Sequence, residues 1–200
     1  MKNNVVADTS FFICHACNLR RTDFLLNYLD LYQFYVGPII LMKELPNMGK
    51  DDETIRKKLI YKESNYAELF KMLSARDSKH IEEDGEYEAI GLAVELSLTN
   101  NLKYLIIDDK GPKNFAKNTI TKKFLELNGK IVGTVGFICN CYRIDSLIEK
   151  EKCLENLKAI HTAYLEYEQN GKTQRPCSMD DKFINNTLLP LITDLEKFNE

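Results

Sequence analysis

The sequence predicts an α/β sandwich, with a central, mainly parallel sheet between layers of helices and further helices at the C-terminal end. Short β-branched runs alternate with longer stretches of helical apolar spacing. Turn-forming pairs, Gly37-Pro38, Asp84-Gly85 and Asn128-Gly129, stand between them. Acidic residues close several apolar runs, at the strand ends where open parallel sheets bind ligands.

Residues 4–8 read as the first strand, followed by the capping types Thr9 and Ser10 and by Phe11-Phe12-Ile13. A helix is expected from Asp23 to Tyr32, with Phe24, Leu25, Tyr28, Leu29 and Tyr32 on one stripe. Gln33 to Val36 is a second strand, stopped by Gly37-Pro38. Residues 51–75 are charged but periodic and read as two helices around Ser64-Asn65. A helix over 86–99 turns Ala89, Ile90, Leu92, Ala93 and Leu96 to a core, and strand 103–107 follows. Gly111-Pro112 opens a helix that carries Phe115, Ala116, Phe124 and Leu127, and residues 130–137 read as a last strand. Strand–helix alternation of this kind implies right-handed crossovers and parallel pairing. The tail, 142–200, reads as a charged amphipathic helix to about Glu168, a polar loop over 169–176 and a last helix from Asp180. Within that last helix Ile184, Leu188, Leu191, Leu195 and Phe198 form an apolar seam, interrupted by Pro190.

A chain of 200 residues with 44% hydrophobic and 28% charged side chains suits one ordinary domain, here 1–141, with a helical extension over 142–200 packed on it. The longest apolar runs fall short of the roughly 18 residues a membrane span needs. Met1-Lys2-Asn3-Asn4 opens no secretory signal, so a cytoplasmic protein that meets no membrane is expected. Six cysteines in that setting are expected to be reduced, buried and structural. Cys14-x-x-Cys17 with Cys139-x-Cys141 is the alternative, a zinc site. The net charge of −3 argues against a non-specific grip on long nucleic acid, without excluding a nuclease whose own acids lower the total.

Four acidic positions carry the chemistry. Asp8 closes the first apolar run, Glu44 follows Ile39 to Lys43, Glu88 with Glu86 opens the helix after Gly85, and Asp108-Asp109 ends the run 104–107. Taken singly, each has an ordinary explanation: a helix cap, a surface helix residue, first-turn acids that favour the helix dipole, or turn chemistry. Taken together, carboxylates converging at neighbouring strand ends repel unless a hard cation, Mg²⁺ or Mn²⁺, lies between them.

With these pieces in this order, Val6-Ala7-Asp8-Thr9-Ser10, Glu44-Leu45, residues 85–93, Ile106-Ile107-Asp108-Asp109-Lys110 with Ala116, and residues 132–138, the chain resembles PIN-domain proteins. Many of these are toxin ribonucleases of toxin–antitoxin pairs. The resemblance covers about residues 4 to 141. It implies a PIN-like three-layer fold and metal-binding, catalytic acids at Asp8, Glu44, Glu88 and Asp109, with Glu86 and Asp108 as secondary candidates. Glutamate at 88 stands where aspartate is common in the family, which leaves the choice between Glu86 and Glu88 open. The resemblance further implies Mg²⁺- or Mn²⁺-dependent hydrolysis of RNA, and an antitoxin protein as a partner if the chain is a toxin. Thr9 and Ser10 are candidate supports through their hydroxyls, and Lys110, with Lys113, is a candidate phosphate contact. A homodimer through the 184–198 seam is an alternative to packing of that seam on its own domain. Two rival readings are a catalytically degenerate PIN domain that binds RNA or protein, and a small-molecule phosphohydrolase. The second would favour an Asp-x-Asp pair where this chain has Asp8-Thr9-Ser10.

Overall fold

Val5, Val6 and Ala7 are wholly buried, and so are Leu105, Ile106 and Ile107. Runs without polar alternation are what a sheet covered on both faces selects. In the computed structural model, which describes residues 2–45, 48–64, 70, 84–99, 101–170 and 176–197, these runs are the two middle strands of a five-stranded parallel sheet. The chain runs through β1 (Asn4–Ala7), α1 (Thr9–Ile13, with wider π turns over Cys14–Asn18), α2 (Thr22–Leu31) and β2 (Gln33–Val36). It continues through a π segment (Ile40–Glu44), α3 (Asp52–Lys58), β3 (Leu59–Tyr61), α4 (Gly85–Leu98) and β4 (Leu102–Ile106). Next come α5 (Lys110–Phe115, with π turns over Ala116–Ile120), β5 (Ile131–Val132), α6 (Thr134–Arg143) and α7 (Lys150–Asn170). The last elements are α8 (Asp181–Phe183), a π segment (Ile184–Leu188) and α9 (Leu189–Lys197).

The strand order is β3-β2-β1-β4-β5. Val6 pairs with Tyr35 on one side and Leu105 on the other. The chain winds outward from β1 to β3, then returns to lay β4 against the other side of β1. That reversal makes the β1/β4 boundary the switch point, the place where open parallel sheets leave a crevice beyond their carboxyl ends.

One face of the sheet holds an aromatic core. Phe11 of α1 stacks on Phe34 of β2 at 5.4 Å, and Phe137 of α6 meets Tyr28, Tyr32 and Tyr104 edge-on or tilted. Burying rings of this size supplies much of the driving force for folding, about 25 cal/mol for each Å² removed from water. His15 lies in this core between Phe11 and Tyr28, and burial pushes its imidazole down to about 4. Helix α4 packs against β1, β2 and β4 and is apolar nearly all round, with Ala89, Ile90, Leu92, Ala93 and Val94 fully buried. The result is a three-layer α/β/α sandwich with C-terminal helices. Among the described residues no helix is long and apolar enough to cross a membrane.

Several elements depart from the sequence reading. Leu59–Tyr61 pairs with β2 as a third strand, where only helices were expected over 51–75. It is a three-residue edge strand with no fully buried residue, so it carries no alternation. Asp52–Lys58 before it is helical, as expected, and of residues 65–75 only Phe70 lies among the described residues. The helix after Gly111-Pro112 ends at Ile120, and Leu125–Leu127 forms a separate 3₁₀ turn. Residues 130–137 contribute only the two-residue strand β5, and Thr134 onward is helical. The amide and hydroxyl of Thr134 donate to Asp108, and this anchor opens α6 in a stretch whose composition resembles a strand.

In the tail, Asp180 caps its helix by accepting from the Phe183 amide at 2.8 Å. Ile184, Leu188 and Leu195 of the seam are buried, Leu191 is half-buried with Ile192 buried beside it, and α9 packs on α7, so most of the described seam faces its own chain. Phe198 lies outside the described residues. Pro190 is the second residue of α9, where the preceding π segment accommodates its missing amide.

The cysteines are also a correction. The structure joins Cys14 to Cys177, with Cα atoms 5.2 Å apart, and Cys17 is exposed. The π turns after Ile13 shift the register, so Cys14 faces the C-terminal segment and Cys17 faces solvent. Cys139 and Cys141 are buried elsewhere, and no four-cysteine site assembles among the described residues.

Candidate acidic site at the switch point

Asp8 follows β1 directly, and its amide still donates to Ile106 of β4 at 3.0 Å. Its backbone is extended, which turns the side chain back over the first turn of α1 as a cap. Oδ1 accepts from Ser10 Oγ at 2.6 Å and from the Phe11 amide at 3.2 Å, and Oδ2 accepts from the Asp108 amide at 3.2 Å. The cap and the switch-point acid are therefore one residue. Asp8 is fully buried, and that burial, together with the charge of Asp108, pushes its carboxyl up to about 7.

Asp108 follows β4 and is half-buried. Its carboxylate accepts both the amide and the hydroxyl of Thr134. Burial raises its pKa; the Thr134 hydrogen bonds and the Lys113 ammonium oppose that rise, while Asp109 adds to it. A Cβ at Gly133 would lie 2.5 Å from Lys113 Nζ and 2.8 Å from Asp108 Oδ1. Ammonium and carboxylate thus share a space that only glycine leaves open.

Asp109 and Glu86 line a cleft of about 150 Å³ together with Thr9, Ser10, Asn18 and Ser178. Burial, then the hydrogen bond and charge of Asp84, and then a hydrogen bond with Asp109 push the Glu86 carboxyl up to about 10. Two carboxyl groups can hydrogen-bond to each other only if one keeps its proton, so this contact holds a proton that two ionised carboxylates would lack. Glu44 reaches the same neighbourhood from the end of its π segment. It accepts from Thr9 Oγ1 through Oε2 and from the Gly85 amide at 2.8 Å through Oε1.

Glu88 lies elsewhere. Its Oε1 and Oε2 accept the Ile39 and Ile40 amides, each at 3.1 Å, and it is buried. A Cβ on Gly37 would fall 2.0 Å from its Cδ, so the glycine makes room for the carboxylate beneath the turn. These are the contacts of an anion neutralised by the orphan amides at a helix start. Of the sequence candidates, the structure gathers Asp8, Asp108, Asp109, Glu86, Thr9, Ser10 and Glu44 around the carboxyl ends of β1 and β4. Lys110 is exposed at the start of α5.

Three further residues enter this neighbourhood that the sequence reading did not single out for it: Asp84, Thr134 and Gly133. Thr134 had a legible signal, a hydroxyl residue after glycine and before an apolar run, which is a helix-start pattern. The donor set is entirely oxygen, the kind a hard divalent cation takes. Among the described residues, no three His, Cys, Asp or Glu side chains stand in the arrangement of a preformed metal centre. The acids form two pairs, Asp8 with Asp108 and Glu86 with Asp109, bridged in sequence by the neighbours Asp108 and Asp109. Comparison with family models, curated proteins and solved structures finds no match for this chain.

Proposed function

We propose that this chain is a PIN-like, Mg²⁺- or Mn²⁺-dependent endoribonuclease. The observation that carries the reading is the crowding of two carboxylate pairs at the switch point. In both pairs a carboxyl is raised by burial and by its acidic neighbours. Such repulsion is costly to keep, and a divalent cation relieves it.

Asp8, Glu86 and Asp109 are the proposed ligands, with Glu44 and Asp108 at their margins. This choice takes Glu86 over Glu88, because the Glu88 carboxylate is held by two backbone amides. When bound, the metal supplies a water of lowered pKa and neutralises charge on the scissile phosphodiester. The residues do the rest. Ser10 and the Phe11 amide fix the Asp8 carboxylate, and Thr134 fixes Asp108. Thr9 orients Glu44. Lys113 brings a positive charge to the same edge, suited to a phosphate oxygen. Toxin action with an antitoxin partner belongs to the same proposal and rests on the family resemblance.

A second reading, a degenerate PIN domain that binds RNA or protein, is favoured by one observation. Asp8 is fully buried, with hydrogen bonds on both oxygens. Cleavage of single-stranded RNA with Mn²⁺, by the parent chain and by Asp8→Asn and Asp109→Asn, separates the two. The nuclease reading expects cleavage by the parent and its loss in both variants. A parent chain that binds RNA but leaves it intact establishes the degenerate reading.

A further inference from the structure

Beside the acid pairs, and continuous with Asp108, runs a second and larger cleft of about 680 Å³. One wall is α5 with its π turns, which present Lys110, Lys113 and Lys117. The opposite wall comes from the C-terminal segment, with Lys182, Phe183 and Asn186. Between them the floor is largely apolar, formed by Val132, Val135 and Gly136, with Asn140 at its side.

Four lysines line this cleft. Elsewhere on the surface Lys57, Lys58, Lys62, Lys103, Lys152 and Lys158 each pair with an acid. Among the described residues Lys110, Lys117 and Lys182 have no such partner, and all three are exposed. Asp108 and Asp180 also line the cleft, and among the described residues Lys50, Lys122 and Lys123 elsewhere are likewise without an ion pair, so what sets this cleft apart is the grouping of four lysines in one place. The spacing 110, 113, 117 puts three ammonium groups along one helix face. Over seven residues that face extends about 10 Å, more than a single phosphate spans.

We infer that this cleft, walled on one side by the C-terminal extension, holds a single strand of RNA, with its phosphates along Lys110, Lys113 and Lys117 and against Lys182, and a base on the apolar floor beside Phe183. A cation row paired with an aromatic and an apolar floor is the combination that single strands need, because their bases are unstacked and carry an apolar face. The strand would leave the cleft at Asp108, which places its next phosphodiester at the acid pairs. This inference rests on the ribonuclease reading for the identity of the strand.

The test is fluorescence anisotropy of a labelled 12-nucleotide single-stranded RNA with the full chain in EDTA, where binding is read without cleavage. The double variant Lys117→Ala/Lys182→Ala should bind at least tenfold more weakly, with a log–log salt dependence shallower by about 1.4, since each phosphate contact on a single strand contributes roughly 0.7. Phe183→Ala should weaken binding on the order of tenfold. Lys57→Ala/Lys158→Ala, which removes two paired lysines, should bind like the parent. Lys117→Glu is a second, single-site check that should lose more than the neutral change. Parent-like binding by the lysine variants at a parent-like melting temperature overturns the inference, as does a parent chain that binds no RNA. RNA held in this cleft but never cleaved would leave the inference standing and remove the nuclease reading. Cleavage by a chain whose lysine variants bind at full strength would do the reverse.

Discussion

Glu86 and Glu88 stand two residues apart in the first turn of α4, and their surroundings are opposite. Glu88 points down to the start of the Ile39–Glu44 turn, where two backbone amides neutralise it. Glu86 points at Asp84 and Asp109, where other carboxyls raise its pKa. Both are acids in a first helical turn, both are largely shielded from water, and both are compatible with the same sequence pattern. Their difference separates a charge that holds the fold from a charge that the fold holds at a cost. Natural chains retain such a cost at sites where a ligand relieves it.

Activity gives the largest expected separation between them. Glu86→Gln should lower Mn²⁺-dependent RNA cleavage on the order of a hundredfold or more, the scale of a lost metal ligand. Glu88→Gln should keep cleavage within a few-fold of the parent once folded protein is counted. A Glu88→Gln chain that is inactive but melts like the parent would reverse the assignment.

Stability should reverse the order. Glu88→Ala leaves the Ile39 and Ile40 amides without their anion, at a cost of roughly 3 kcal/mol. For a chain of this size that is a fall in Tm of roughly 6–12 °C. Glu86→Gln should leave metal-free Tm equal or higher, because glutamine stands beside Asp84 and Asp109 without having to take up a proton on folding. Thermal denaturation in EDTA reads both, and a large loss for Glu86→Gln would mean that its contacts are structural.

Metal addition sharpens the contrast at a smaller scale. At about ten times its dissociation constant, Mn²⁺ should stabilise the parent by about 1.4 kcal/mol, or roughly 3–6 °C. The gain should shrink in Asp8→Asn and Glu86→Gln and persist in a folded Glu88→Gln. Equal gains in all four chains would place the cation elsewhere.

A further contrast is in the pH dependence. Asp8 and Glu86 keep their protons in the folded chain at pH values where the unfolded chain has lost them. Their stabilising contribution is full below about pH 4 and is lost as pH rises, through about 7 for Asp8 and about 10 for Glu86. Metal-free Tm should therefore fall between pH 6.5 and 9, and Glu86→Gln should flatten that fall. A parent Tm that rises over this interval contradicts the crowding.

The sequence by itself determined the alternation that makes the sheet parallel, and it placed acids at the ends of β1 and β4. The stripe of Phe24, Leu25, Tyr28 and Leu29 marked α2, and the buried run 89–94 marked α4, because apolar periodicity over ten or more residues is a strong local signal. Asp8 was legible as a cap and as an acid at a strand end, and the structure shows it capping α1 and accepting from the Asp108 amide. Short elements were not legible. Leu59–Tyr61 needs β2 beside it to be a strand, and Thr134–Phe137 is helical because Thr134 anchors on Asp108, 26 residues earlier. The pairing of Cys14 with Cys177 spans 163 residues and has no local signature. Glu86 and Glu88 face different neighbours in the tertiary structure, since a helix turns about 100° per residue. The tertiary structure also set four lysines from two distant segments, 110–117 and 182, across one cleft. Composition counts charges and spacing orders them along one element; which charges face each other across a gap is fixed by packing.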